Sequence, residues 1–168
     1  MSVRAGGRAV GMVVGAVAGI AVVLLSVLVV GMRWKLPPVI DAVRRMNRSL
    51  TNPRVMRTAG STGAQTSVIR HTGRTSGRTY ETPVDVIATG DEFLIALPYG
   101  TRADWVRNVL AAGSATIVSQ GDSVDVGAPI IATTAEVAGQ IPARTLRTLH
   151  LFGVTECLHL QRSTDGLG

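Results

Sequence analysis

The chain has 168 residues, a formal net charge of +6 and 46% hydrophobic residues, enough for one domain with a real core plus an appendage. A single cysteine, Cys157, excludes an intramolecular disulfide and fits a reducing compartment. Arginine supplies nearly all the positive charge, Lys35 being the one lysine. With aromatics scarce and no basic helix stripe, zinc-finger or RNA-recognition pattern, no nucleic-acid partner is expected.

Residues 1–8 read as a short flexible end. Residues 9–32 carry no charge. As a helix that run would span about 36 Å at about 1.5 Å per residue, enough for a bilayer core of about 30 Å. A secretory signal has a shorter apolar core and a small-residue cleavage site. This run ends in Gly31-Met32-Arg33-Trp34-Lys35, so an uncleaved single-pass transmembrane helix is expected, with Trp34 at the membrane interface. Gly11, Gly15 and Gly19 share a helix face, which suits either helix pairing, and so a homo-oligomer, or the ordinary glycine content of membrane helices. Arg4 and Arg8 precede the run, whereas Arg33, Lys35, Arg44, Arg45 and Arg48 follow it. The C-terminal part is therefore expected on the cytoplasmic side of the cell membrane. Residues 33–65 read as a linker: Pro37-Pro38 breaks the first helix, an amphipathic helix covers 39–50, Asn52-Pro53 stops it, and 60–66 is a loop. Arg44, Arg45 and Arg48 suit either lipid headgroups or a solvated face.

Residues 66–162 read as a β-rich domain, with a tail at 163–168. Strands are expected at 67–71, 82–88, 92–97, 114–119, 123–126, 130–132 and 154–160. Thr89-Gly90-Asp91 and Gln120-Gly121-Asp122 are hairpin turns. A helix is expected at 105–112, with Asp104 as N-cap and Gly113 as its stop, and short helices at 135–139 and 143–150. Helices interrupting a strand series favour a small barrel over a sandwich.

The stretch from Arg70 to Val84 packs Arg70, Arg74 and Arg78 around Gly73 and Gly77, with hydroxyls at Thr72, Thr75, Ser76 and Thr79. Glycines let backbone N–H groups turn outward and arginine forks hold oxyanions, so a strand–loop–strand phosphate grip is expected. A Walker-type loop is excluded, because no Gly-Lys-Ser/Thr occurs and no helix follows. Gly-x-Ser-x-Gly is absent, and His71 has no evident carboxylate partner, so a hydrolase is not expected. No metal site is expected; Cys157 and His159 share a strand face without further ligands, which reads as a half-buried Cys and an edge His. Beyond the loop, Leu97-Pro98-Tyr99-Gly100 ends a strand. Trp105 and Asn108 then fall on one helical face, where Asn108 offers an amide to a ring carbonyl or hydroxyl.

His71-Thr72-Gly73-Arg74-Thr75-Ser76-Gly77-Arg78, Thr82-Pro83-Val84, Leu97-Pro98-Tyr99-Gly100 and Asp104-Trp105-x-x-Asn108-x-x-Ala111-x-Gly113, in this order, resemble the deazaflavin-dependent nitroreductase family of split β-barrel oxidoreductases. The resemblance covers residues 47–162. It implies an α+β, mainly β fold of the flavin/deazaflavin-binding split-barrel type. It also implies an enzyme that passes hydride from reduced coenzyme F420 to a small electron-poor acceptor; with a membrane anchor, that is a quinone or another lipophilic compound. FMN is the less favoured cofactor, and a tethered non-catalytic binding module is the alternative function. By the resemblance Arg74, Thr75, Ser76, Gly77 and Arg78 hold the cofactor phosphate. Pro83, Val84, Ala96, Pro98, Tyr99 and Gly100 line the ring, while Asp104, Trp105 and Asn108 close the site from the helix. Tyr99 is the candidate proton donor. Many relatives have Lys where this chain has Thr75, and the substrate-binding aromatics of nitroimidazole-reducing relatives have no match here.

Overall fold

The computed structural model describes residues 3–47, 49 and 52–163, with side chains from Val17 onward. Arg48 and, as side chains, residues 9–16 of the expected span, Gly11 and Gly15 among them, lie outside the described residues.

The apolar run forms α1 (Val3–Arg33), one uninterrupted helix. Its described flank points outward, with Val17, Ile20, Val22, Val23, Leu24, Leu25 and Val27 all more than half exposed. Among the described residues no single helix is long and apolar enough to cross a membrane; Val17–Arg33 and Pro37–Met46 meet the length and composition together, bent by 110°. Gly19 faces open space.

Pro37 and Pro38 do not merely break the chain. They occupy the first turn of α2 (Pro37–Met46), where a missing N–H costs nothing. The bend is tight: a Cβ on Gly31 would lie 2.6–2.8 Å from the Val39 side chain, so only glycine lets α2 fold back on α1. Asn52-Pro53 opens a further short helix, α3 (Asn52–Val55).

Seven strands form one antiparallel sheet: β1 (Ser67–Thr72), β2 (Thr79–Val84), β3 (Val86–Thr89), β4 (Glu92–Ala96), β5 (Ser114–Ser119), β6 (Asp122–Thr133) and β7 (Glu156–Arg162), in the order β2-β1-β5-β6-β7-β4-β3. The expected strand over 82–88 is two strands. Its alternation is real, but the chain changes partners at Asp85: Val84 pairs with Ser67 of β1, and Val86 with Ile95 of β4. The two edge strands of the sheet are thus neighbours in sequence, and a sheet whose edges meet in this way has curled into a half-barrel. The Ser119–Asp122 pair closes on Gln120 and Gly121, both at positive φ (54° and 91°), as a two-residue hairpin requires. A bulge between Gly127 and Ile130 lets β6 continue to Thr133 instead of stopping at Val126.

Inside the curl Ile69, Val84, Phe93, Ile95, Ile117, Val126, Leu158 and Leu160 pack on Val106 and Val109 of α4 (Asp104–Ala112). On the other face Leu94, Ala132 and Cys157 pack on Val137 and Ile141, which flank a single 3-10 turn (Ala138–Gln140), and on Leu146 and Leu149 of α5 (Ala143–Leu151); the helix expected at 135–139 is only that turn. Cys157 is fully buried and burial raises its thiol pKa, while His159 sits on an interior strand, 3.6 Å from Glu92, rather than at an edge. No cluster of three metal-binding side chains occurs among the described residues.

The end of α1 is built into this domain. Met32 is buried, Arg33 donates to the His150 carbonyl at 2.7 Å, and Gly153 meets the Arg33 backbone.

Candidate active site

An open cavity of about 830 Å³ lies where the β1–β2 loop, the start of α4 and the end of α2 converge. The hairpin fixes the loop. Gly73 N–H donates to the Arg78 carbonyl and Gly77 N–H to the Gly73 carbonyl, both at 2.8 Å. Gly77 sits at φ 64°, and a Cβ on Gly73 would meet Ser76 and Tyr80 at 2.6 Å. The backbone N–H groups of Thr75 and Ser76 find no protein partner among the described residues, which leaves two adjacent donors at the cavity wall.

Helix α4 carries the other half of the site. Asp104 is its first residue, with Ala103 at the cap position and no side-chain cap, so the expected N-cap role fails. The Asp104 carboxylate instead pairs with Arg74 at 3.1 Å. Asn108 is buried, and its amide is spent on the protein. Oδ1 accepts from the Arg74 backbone N–H (3.2 Å) and Nη1 (2.8 Å), and Nδ2 lies 3.3 Å from Nδ1 of His71. His71 is buried as well, with Nε2 3.3 Å from the Thr82 hydroxyl, and burial lowers its pKa.

Of the residues expected at the site, Arg74, Thr75, Ser76, Pro83, Tyr99, Asp104, Trp105 and Asn108 line this cavity. Six do not. Gly77 and Arg78 follow the turn, exposed, on the way into β2. Val84 belongs to the core, and Ala96 packs with the second apolar layer because strand alternation sends it away from Ile95 and Leu97. Pro98 is exposed, and Gly100 serves the turn, donating to the Leu97 carbonyl at 2.9 Å. Arg74 is no free phosphate grip either, since its guanidinium is shared between Asp104 and Asn108.

Residues missed in the sequence are Arg44, Asn47 and Asn52, His71 as a lining group, Tyr80, Glu81 and Thr82, and Arg102 with Ala103. Alternation along β2 places Tyr80 and Thr82 on one face, a usable signal. The α2 residues had none. Arg44, expected at headgroups or in solvent, donates to the Tyr99 carbonyl at 2.9 Å and lies 5.7 Å from the centre of its ring; Asn47 donates to the Tyr99 hydroxyl. Burial raises the Tyr99 pKa, offset in part by Asn47 and Arg44, so the phenol keeps its hydrogen.

A curled antiparallel half-barrel with one basic, aromatic cleft at its end defines the class. Residues 43–144, more than half of the chain, match the family model described as F420H(2)-dependent quinone reductase, and the chain belongs to that family of F420H2-dependent oxidoreductases. Among solved structures, one titled as an F420-H2 dependent reductase (FDR-A) is 12% identical, covering 58% of this chain and 94% of its own, with a TM-score of 0.44. Another, titled F420 reductase, is 8% identical over 60% and 87%, with a TM-score of 0.42. A third, titled as a domain-swapped dimer, is 12% identical over 72% and 98%, with a TM-score of 0.44. No curated protein matches the chain.

Proposed function

We propose that this protein is a membrane-anchored reductase that passes hydride from reduced F420 to an electron-poor acceptor, a quinone or another lipophilic compound. One observation carries the cofactor assignment. A single cavity combines two free loop amides with the cations Arg74 and Arg102 and the flat walls of Tyr80, Pro83 and Trp105. That donor set fits a flat ring with an anionic tail. The amides of Thr75 and Ser76 would take the phosphate, with Arg102 as a further cation of the same cavity, and Thr75 would supply a hydroxyl instead of a charge. Trp105 and Pro83 would face the ring. The cofactor would supply the hydride, and the protein's part is to position it against the acceptor.

The anchor reading is supported by the outward apolar flank of α1, and a cytoplasmic domain by the excess of Arg33, Lys35, Arg44, Arg45 and Arg48 after the run over Arg4 and Arg8 before it. The test is titration of the full chain in detergent with F420, then with FMN, followed by turnover of reduced F420 with menadione. Submicromolar F420 binding with turnover is the expected result. Binding without turnover would make the protein a tethered binding module, and preference for FMN would overturn the cofactor assignment.

A further inference from the structure

Helix α2 gives the cleft a wall that the barrel itself does not supply. Arg44 is held by the Tyr99 carbonyl at 2.9 Å and by the Tyr99 ring, with Asp41 3.8 Å away. A guanidinium has five N–H donors, so most of Arg44 remains available to the cavity it lines. Asn47 completes the cluster by donating to the Tyr99 hydroxyl oxygen, which leaves the phenol's own hydrogen for another acceptor. The cavity thus holds a cation and an O–H donor side by side, neither used by the loop that faces the cofactor tail.

We propose that Arg44 and Tyr99, the latter positioned by Asn47, form the subsite that binds the carbonyl oxygen of the acceptor. The chemistry rests on the hydride-transfer reading above; the binding does not. A quinone that takes hydride from the reduced deazaflavin gains two electrons and one hydrogen and becomes the hydroquinone monoanion, while the deazaflavin is oxidised. The negative charge sits on the quinone oxygen until a proton from water completes the hydroquinone. A guanidinium and a phenol placed at that oxygen stabilise the charge as it develops. Because α2 folds back on α1 at Gly31 and Val39, the acceptor subsite is carried by the helix that directly follows the apolar one. A lipophilic acceptor leaving the bilayer would meet it first.

The test uses the full chain in detergent with Trp34→Phe as background, so that Trp105 in the cavity is the one remaining tryptophan. Menadione binding without cofactor is read from Trp105 quenching, and F420 binding from the anisotropy of its own fluorescence. Arg44→Gln and Tyr99→Phe should each weaken menadione about tenfold, as expected for loss of one charge-assisted or buried hydrogen bond. F420 affinity should change by less than about twofold, and Arg44→Lys should recover part of the loss. Asn47→Ala should weaken menadione when Tyr99 is present and add nothing in Tyr99→Phe, a coupling that a merely structural asparagine would not show. Unchanged menadione affinity in Arg44→Gln, or an equal loss of F420 affinity, would overturn the subsite. If wild-type protein ignores F420 while menadione still weakens in Arg44→Gln, the subsite stands and the hydride-transfer reading falls.

Discussion

Asn108 makes three contacts to two residues with one amide, and the loop depends on it. Its Oδ1 holds Arg74 twice and its Nδ2 meets His71. Asn108→Ala leaves a backbone donor and a buried ring nitrogen unmatched, at a cost of about 2 kcal/mol. We expect that loss in urea unfolding, together with faster hydrogen exchange at the Gly73 and Arg74 amides. His71 makes the same network pH-dependent. Burial lowers its folded pKa below the ordinary value of 6.5, so the unfolded chain takes up the proton first. The stability from the neutral ring is complete above about pH 6.5 and declines as the pH falls further. Protonation at Nδ1 would also turn an acceptor into a donor facing the Asn108 amide. Unfolding free energies measured between pH 5 and 8 should show this slope, and His71→Gln should flatten it. The identity of these residues was legible in the sequence, but their use was not. Asn108 read as a ring contact because a solvent-facing amide and a buried one look alike in a helical repeat.

At the scale of elements, two glycines of the same conformation separate local strain from packing. Gly113 ends α4 at φ 71° with open space around it, whereas Gly153 follows α5 at φ 66° with the Arg33 backbone 3.0 Å from where a Cβ would lie. Alanine at either position costs about 1 kcal/mol for the left-handed conformation. Gly153→Ala adds a backbone collision and should cost at least about 1 kcal/mol more. It should also speed proteolysis at 34–36 by lifting the end of α1, which Gly113→Ala should not. Elements with a strong local period were legible: β1, β4, β5, α4 and both hairpin turns. The split of 82–88 into β2 and β3 was not, because period-two alternation runs unbroken through a change of partner. Likewise the two prolines signalled a boundary without telling whether a helix ended or began there.

For the whole molecule, the apolar helix and the barrel are one structure at their junction. Met32 is buried and Arg33 hydrogen-bonds to the end of α5. A chain begun at Gly31 keeps both contacts, and one begun at Leu36 loses them. Burying a methionine side chain is worth about 1.5–3 kcal/mol, so the shorter chain should melt at least about 3 °C lower by calorimetry. The full chain should remain with membranes after carbonate extraction and both truncated chains should not; release of the full chain would remove the anchor reading.

The sequence by itself determined what short-range pattern encodes: the uncharged run, the strand and turn series, the glycine–arginine loop and the family resemblance those motifs carry. Only the tertiary structure decided which side chains share the cleft. Closing the sheet put Ala96 and Val84 into packed layers, turned Arg74 inward to Asp104 and Asn108, and brought Arg44 and Asn47 to Tyr99 from a helix distant in sequence. Periodicity fixes the face of a residue within its own element, but what that face meets depends on the curl of the sheet and the bend at Gly31.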